Sequence, residues 1–186
     1  MKHKWIFCCL VAAIISFSAF AQTEKIKFYS INSGGIVDGE SKVNSIFQTV
    51  NGIEFLKWYS GIGVGVDNYN YKTLPLFFDA RRSFGKKNKG FLYADIGYDF
   101  PLKNVPGKEI VYYNTYHFKG GLYTDIGIGY KIKFIKSSSL QFSLGYSYKE
   151  LQTQIGITPA CLECQPSSYK YDFGYGRIIL KTGVEF

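Results

Sequence analysis

The sequence predicts an all-β fold in which eight antiparallel strands close into an up-and-down barrel, and three observations lead to this prediction. Tyr and Phe occur 16 times each, beside 20 Gly residues, a composition typical of strands joined by tight turns. Apolar and polar residues alternate with a period of two over long segments. Short and long connections also alternate along the chain, as expected for a barrel with both chain ends on one side.

Three segments in the middle of the chain, 91–100, 121–134 and 140–149, alternate most clearly. Their apolar faces end in aromatic residues, and their polar faces mix Gly and Ser with charged residues. A tilted strand of about 9–11 residues spans a bilayer, whereas strands of soluble proteins average about 5–6. We therefore predict transmembrane strands with the apolar face toward lipid and the polar face toward a narrow lumen.

The same search, extended along the chain, gives eight candidate strands. They are Lys25–Ser33, Val43–Phe55, Trp58–Asn68, Leu74–Phe84, Phe91–Phe100, Gly121–Phe134, Leu140–Gln152 and Asp172–Phe186. The register of the first two is left open, because they alternate poorly. The longer predicted connections are Gly34–Lys42, Tyr69–Thr73, Pro101–Gly120 and Thr153–Tyr171. The predicted architecture therefore has short periplasmic turns and longer extracellular loops.

The N-terminal segment predicts an export signal. Lys2 and Lys4 precede an apolar stretch, and Ala19-Phe20-Ala21 fits the small-x-small pattern of a signal peptidase site. The stretch is short for a transmembrane anchor, which is the alternative. We expect residues 1–21 to be cleaved and residues 22–186 to form the barrel domain.

The last ten residues, 177–186, alternate up to Phe186. Such a strand resembles the closing strand of bacterial outer-membrane barrels, and the chain is similar to the small eight-stranded barrels, particularly those of Bacteroidota. The resemblance rests on Leu74–Arg81, Tyr93–Tyr98, Gly120–Tyr123 and this last strand. It implies an integral protein of a Gram-negative outer membrane that contacts lipid and lipopolysaccharide. It also implies that the barrel assembly machinery reads Phe186 as an insertion signal.

The alternation predicts charged side chains inside the barrel, whose interior is just wide enough for side chains to fill. They are Asp79, Arg81, Asp95, Asp99, Asp125, Lys131, Lys133, Lys149, Arg177, Lys181 and Glu185. Because an unpaired buried charge is costly, we predict a lumen charge network centred on Arg81 with one or more of Asp79, Asp95 and Asp125. The alternative is a path for protons or ions, or a carboxylate pair for acid–base chemistry.

Cys161 and Cys164 form a CxxC motif in the last predicted loop. In an oxidising exterior we expect a small disulfide, with metal capture or a reactive thiol as the alternatives. Apart from the signal segment the chain has one histidine, His117. Two Cys and one His are too few for a structural zinc site, which takes four ligands. We therefore predict no metal and no cofactor.

His117, in a predicted loop over Tyr112–Lys119, is the one hint of catalysis, with Ser147, Ser167 and Ser168 as candidate partners. No spacing links these residues, so no catalytic residue is predicted. The alternatives to a non-enzymatic barrel are an enzyme that modifies lipid A or phospholipid, a small-solute channel, and a soluble exported barrel.

The predicted function is a role in envelope structure or ligand contact through the outer loops. Aromatic residues of the third and last loops could bind an extracellular ligand. They include Tyr112, Tyr113, Tyr116, Phe118, Tyr169, Tyr171, Phe173 and Tyr175. The formal charge of +8 is spread along the chain, clustering only at Gly85–Gly90. With an export signal, this distribution argues against a nucleic-acid partner.

Overall fold

The computed structural model describes residues 26–39, 42–102, 114–135, 138–157 and 167–186. Nearly all of them belong to eight strands. These are β1 (Lys27–Asp38), β2 (Val43–Phe55), β3 (Trp58–Asp67), β4 (Thr73–Phe84), β5 (Gly90–Pro101), β6 (Asn114–Ile135), β7 (Ser138–Ile157) and β8 (Ser167–Glu185). A short 3-10 helix, Lys86–Asn88, lies between β4 and β5. Within the described residues, no helix is long and apolar enough to cross a membrane.

Each strand pairs antiparallel with the next, and β8 pairs with β1, so the sheet is closed. The closing ladder runs from Ile31 opposite Glu185 to Asp38 opposite Ile178. The backbone of Phe186 also exchanges hydrogen bonds of 2.9 and 3.2 Å with that of Ser30. The predicted fold class, an eight-stranded antiparallel up-and-down barrel, is therefore confirmed.

The barrel has two distinct ends. At the first, here called the turn end, lie the connections 56–57, 85–89 and 136–137 together with the start of β1 and the end of β8. At the second, the loop end, lie the connections 39–42, 68–72, 102–113 and 158–166. The predicted alternation of short and long connections is clear only in the second half of the chain. The first two loop-end connections are no longer than 85–89.

Several strands are longer than the sequence predicts. Gly34 and Gly35 belong to β1 instead of a loop, because the backbone of β8 passes close to them. A Cβ on Gly35 would lie 2.4 Å from the carbonyl oxygen of Leu180. Residues 114–120, 153–157 and 167–171, which were predicted to be loops, extend β6, β7 and β8 beyond the barrel wall at the loop end.

The two faces of the wall carry opposite chemistry. On β8, Ile178 and Leu180 point outward and expose 58% and 50% of their surface, whereas Arg177, Ile179 and Lys181 point inward and are buried. The other strands follow the same rule, since successive side chains of a strand alternate between faces. The inside of the barrel therefore holds the charged residues together with buried apolar residues such as Ile31, Val50 and Phe77, whereas the exposed outer face is mainly apolar.

Candidate functional site in the barrel lumen

The lumen holds three groups of charged side chains, one above another between the loop end and the turn end. The uppermost, the loop-end cluster, consists of Asp67, Asp99, Lys149 and Arg177, all essentially inaccessible to solvent. Arg177 donates to Asp67, and the ammonium of Lys149 lies 3.3 Å from Asp67 and 3.7 Å from Asp99. Two carboxylates and two cations therefore balance in this cluster.

Neighbouring polar groups support the two cations of the loop-end cluster, whereas neither carboxylate oxygen of Asp99 accepts a hydrogen bond from the described residues. Lys149 donates to the Tyr69 carbonyl oxygen at 3.0 Å and to the Thr73 hydroxyl at 3.2 Å. Arg177 donates to Ser147 at 2.8 Å and lies 5.3 Å above the ring of Tyr69. Because buried charges are stable only when paired and hydrogen-bonded, these contacts explain how the two cations are tolerated there.

The central cluster is built around Lys181. Its ammonium lies 2.7 Å from Asp125 and 3.8 Å from Asp95, and it donates to Gln48 at 3.2 Å. Tyr93 donates to Asp125 at 2.9 Å, and its ring lies 4.3 Å from the Lys181 ammonium. The side chains that hold Lys181 come from β2, β5 and β6, so this cluster ties opposite walls together.

Three carboxylates stand side by side at this level. The register places Asp79 opposite Asp95, and Asp95 opposite Asp125. Among the described residues, no donor makes a hydrogen bond to either carboxylate oxygen of Asp95. Asp95 is thus the least compensated of the three, with Lys181 as its nearest cation.

The turn-end cluster contains Arg81, Asp79, Lys131 and Glu185. Arg81 donates to both oxygens of Asp79 at 2.8 and 2.9 Å and to Gln141 at 3.1 Å. Lys131 and Gln141 both donate to Glu185. The Lys131 ammonium also lies 4.0 Å from the centre of the Tyr59 ring, close enough for a cation–π interaction.

Side chains leave almost no free space between the clusters. A cavity of about 10 Å³ lies near Arg81, Tyr93 and Lys181, which is room for about one water molecule. The arrangement can therefore hold the barrel walls together, and at this cavity the described side chains leave room for about one water molecule.

Most residues of the predicted lumen network are buried and brought together. Asp79, Arg81, Asp95, Asp99, Asp125, Lys131 and Arg177 lie in the three clusters, as do Lys149, Lys181 and Glu185. Lys133 differs from the prediction, because it is exposed at the turn end. The pairing of β6 with β7 becomes irregular between Lys133 and Ile135, so Lys133 lies where the lumen ends.

Sequence reasoning missed Asp67, Gln48 and Gln141, which are central to the network. Asp67 could have been found, since it follows the inward glycines Gly61, Gly63 and Gly65 at the same period of two. Gln48 was out of reach because β2 alternates poorly. Gln141 was assigned to the correct face, but nothing in the sequence indicated that Arg81 and Glu185 would meet it.

The outer face carries an apolar belt over most of its circumference, interrupted on β1 and β2 by the exposed side chains of Asn32 and Asn51. Ile62, Ile126 and Phe47 expose 65%, 62% and 60% of their surface. Aromatic residues border the belt toward the turn end and the loop end, including Trp58, Phe84, Phe134, Tyr98 and Phe100. An apolar band between aromatic girdles is typical of strands that face lipid.

Aromatic residues also line the extension of β8 above the wall. The rings of Tyr171, Phe173 and Tyr175 stack in a row, with centroids 6.4 and 6.2 Å apart. Tyr175 contacts Tyr69 edge-on at 6.0 Å, which connects the row to the loop-end cluster. These residues were predicted to lie in or beside a loop, but they belong to the sheet.

The catalytic alternative gains no assembled site. His117 was predicted to lie in a loop, but its backbone pairs with that of Gln154 in the β6–β7 ladder. Ser147 is buried in the lumen, where Arg177 donates to it, so it does not reach the outer rim. Cys161, Cys164 and the predicted signal segment lie outside the described residues. Among the described residues, no group of three or more His, Cys, Asp or Glu is placed to hold a metal ion.

Comparison with known proteins supports the architecture. No family model matches the sequence, and no curated protein matches it. Three solved structures are similar over 86% of this chain. The outer-membrane protein OprG of Pseudomonas aeruginosa is 9% identical, with 95% of its chain covered and a TM-score of 0.58.

The N-terminal β-barrel domain of Pseudomonas aeruginosa OprF is 15% identical, with 97% covered and a TM-score of 0.51. The outer-membrane protein AlkL, solved in lipid bilayers, is 13% identical, with 88% covered and a TM-score of 0.50. At these identities the similarity concerns the fold. This chain therefore has the barrel architecture of these small outer-membrane proteins.

Proposed function

We propose that this protein is an integral outer-membrane β-barrel with a side-chain-filled lumen and a non-enzymatic role in the envelope. One observation carries the proposal: buried charged clusters lie inside a closed sheet, and an apolar belt covers most of its outside. In water this belt would be an unusually large exposed apolar patch. In lipid it is the expected surface, because a closed barrel satisfies its backbone hydrogen bonds internally.

Export through the signal over residues 1–21, and an origin among the Bacteroidota, belong to the same proposal. Sequence segments such as Leu74–Arg81 and Tyr93–Tyr98 support the second point. In this arrangement the turn end faces the periplasm and the loop end faces the cell exterior, as in barrels with short periplasmic turns.

The first test is the mobility of the membrane-extracted protein in SDS, compared before and after boiling. A closed membrane barrel resists SDS until it is heated, so we expect two different mobilities, with the protein in the outer-membrane fraction. Identical bands from a soluble periplasmic fraction would contradict the proposal.

A pair of lysine substitutions sharpens this test. Ile126→Lys places a charge in the middle of the belt, where a lysine facing lipid costs about 2–4 kcal/mol. We expect a clear fall in unfolding midpoint in lipid vesicles. Tyr169→Lys is the matched control, since Tyr169 is 51% exposed on the loop-end extension and should tolerate the charge. Equal, small effects of the two substitutions would indicate that the belt faces water.

A second role, ligand contact at the loop end, is favoured by the stacked row of Tyr171, Phe173 and Tyr175. Exposed, rigid aromatic rings offer a large contact area at low entropic cost. We expect the wild-type protein to bind on a glycan array. The double variant Tyr171→Ser/Phe173→Ser should lose this binding. An unchanged array profile would remove this row from the contact surface.

A further inference from the structure

A cleft of about 810 Å³ lies on the outer face of the barrel near the turn end. Its apolar floor is formed by outward side chains of β6, β7 and β8, namely Ile128, Tyr130, Phe142, Leu144 and Leu180. The β4–β5 turn borders it, with Phe84 at the start and Lys86, Lys87 and Lys89 along the turn. The cleft is shallow and open, since Ile128, Leu144 and Leu180 on its floor keep about half of their surface exposed.

The turn that carries the lysines has a defined conformation. Lys87 and Asn88 adopt φ values of 61° and 52°, and Gly85 adopts 79°. Non-glycine residues in this region are uncommon and are held there by their surroundings. Here the Asn88 amide donates to the Gly85 carbonyl oxygen at 3.3 Å, and the Lys131 amide donates to the Lys89 carbonyl oxygen at 2.7 Å. The turn is thus fixed against β6.

The three lysines of this turn have no acidic partner among the described residues. None forms an ion pair, whereas Lys131, Lys149 and Lys181 in the lumen each do. The Lys89 ammonium instead lies 5.9 Å from the centre of the Tyr130 ring, on the cleft floor. One border of an apolar cleft therefore carries three positive charges that no described side chain neutralises.

We propose that this cleft binds one molecule of an anionic diacyl phospholipid, with its phosphate on Lys86, Lys87 and Lys89 and an acyl chain along the apolar floor. The inference rests on the proposed membrane location, which puts the turn end in the periplasmic leaflet. A phosphate matches the positive charge, since each lysine near a membrane surface favours anionic lipid. An acyl chain matches the apolar side chains of the floor, which lie side by side on β6, β7 and β8.

Other occupants fit less well. Inorganic phosphate would satisfy the lysines but would leave the apolar floor uncovered. An acidic peptide segment would have to bury unpaired backbone groups against that floor, which is costly in lipid. Lipopolysaccharide carries phosphate and acyl chains, but it belongs to the leaflet at the loop end.

The experiment compares phospholipid retention by the detergent-purified full chain using native mass spectrometry. The probes are phosphatidylglycerol and phosphatidylcholine with identical acyl chains. The test variant is Lys86→Gln/Lys87→Gln/Lys89→Gln. The matched control, Lys27→Gln/Lys42→Gln/Lys72→Gln, removes the same charge at exposed lysines that do not line the cleft. We expect wild type and control to retain phosphatidylglycerol preferentially, and the test variant to lose this preference by about tenfold or more.

A second pair of variants tests the apolar floor. Leu144→Trp should fill the cleft and reduce phosphatidylglycerol retention, whereas Ile62→Trp, on a strand away from the cleft, should not. Equal retention of the two lipids by wild type, or equal loss in test and control variants, would overturn the proposal. Lipopolysaccharide and inorganic phosphate are offered as competitors in the same measurement, and preferential retention of either would overturn the proposal too.

The heat-dependent mobility shift in SDS is measured for every variant. If the wild-type protein shows the shift but does not retain phosphatidylglycerol selectively, the lipid site is rejected and the proposed membrane barrel is retained. Absence of the shift in wild type rejects the proposed function itself.

Discussion

At the scale of single residues, Asp67 shows how one inward carboxylate connects distant parts of the wall. It stands at the end of β3, pairs with Lys149 of β7 and Arg177 of β8, and accepts a hydrogen bond of 2.8 Å from the Tyr69 amide. All three charged side chains are inaccessible to solvent. Without this carboxylate Arg177 would lose its ion-pair partner, and Lys149 would keep only Asp99, at 3.7 Å.

Asp67→Asn should destabilise the barrel strongly. Removing one partner of a buried ion pair costs about 3–5 kcal/mol, because the remaining charges stay buried. We expect a large fall in the temperature at which the SDS-resistant band disappears. Asp172→Asn is the control, since Asp172 is 64% exposed and 3.9 Å from Lys170; an exposed pair is worth about 0–1 kcal/mol. Equal effects would mean that the loop-end cluster does not hold the wall together.

The three adjacent aspartates, Asp79, Asp95 and Asp125, give a second prediction, in which two similar substitutions change the stability of the barrel in different directions. Asp125→Asn should destabilise, because it weakens the contacts with Lys181 and Tyr93. Asp95→Asn should be neutral or stabilising, because it removes the least compensated charge from a row of like charges. Urea unfolding midpoints of the two variants in lipid vesicles compare them directly. A loss for Asp95→Asn as large as that for Asp125→Asn would show that Asp95 has a compensating partner.

At the scale of strands, two facing glycines on β6 and β7 make room for a lumen side chain. Gly127 lies opposite Gly145 in the ladder, and the ring of Tyr93 covers both. A Cβ on Gly145 would be 2.3 Å from the Tyr93 hydroxyl oxygen, and one on Gly127 would be 2.6 Å from its ring. The small residues therefore allow Tyr93 to reach Asp125.

Gly145→Ala should cost about 1–3 kcal/mol, the usual range for overpacking an interior, because Tyr93 must move away from Asp125. Gly176→Ala on β8 is the matched control. Its Cβ would meet only the hydroxyl end of Tyr146 within 3 Å, and Tyr146 is 58% exposed on the outer face, where it can turn aside. Thermal unfolding in detergent measures both. If both variants lost the same stability, backbone effects of alanine would explain the result.

The strands show which parts of the structure the sequence could predict. Alternation assigned the correct faces in β5, β6 and β8, because the exposed outer face is apolar and the buried inner face carries the charged groups. Alternation did not predict the end of β1. Glycine is usually a turn residue, but Gly35 lies within the strand because its missing side chain lets the backbone of β8 pack closely. Alternation also ended β7 too early, because the part of the hairpin above the wall has no fixed boundary between lipid and water to impose the pattern.

The lumen network could be predicted only in part for a related reason. Alternation assigns a charge to the interior, but partners in the lumen come from other strands. Which groups meet therefore depends on the stagger between strands, and the pairing of Arg81 with Gln141 across the barrel has no local signal.

At the scale of the whole molecule, the filled lumen sets what can pass through it. The three clusters follow one another along the axis, and the cavity between the lower two holds about 10 Å³. A hydrated ion or small solute would have to displace several ion pairs at once. The barrel is therefore expected to be a closed structure and not a channel.

Purified protein reconstituted into a planar bilayer should show no discrete conductance steps, since the clusters block the lumen. Incorporation is checked on the same sample by the heat-dependent mobility shift, so that silence is not due to missing protein. Regular steps of uniform size in wild type would contradict the filled lumen and favour the channel alternative.

The contacts across the lumen also constrain the order in which the molecule can assemble. Asp67 and Arg177 are 110 residues apart in the chain, and Gln48 and Lys181 are 133 apart. No single hairpin contains such a pair, so these bonds form only when β8 approaches β1 and the sheet closes. Until then the charged groups remain hydrated, and the last water leaves the interior in the same step that joins the two ends of the sheet. Opening this seam would rehydrate the central and loop-end clusters together, which makes unfolding of the barrel a single cooperative event.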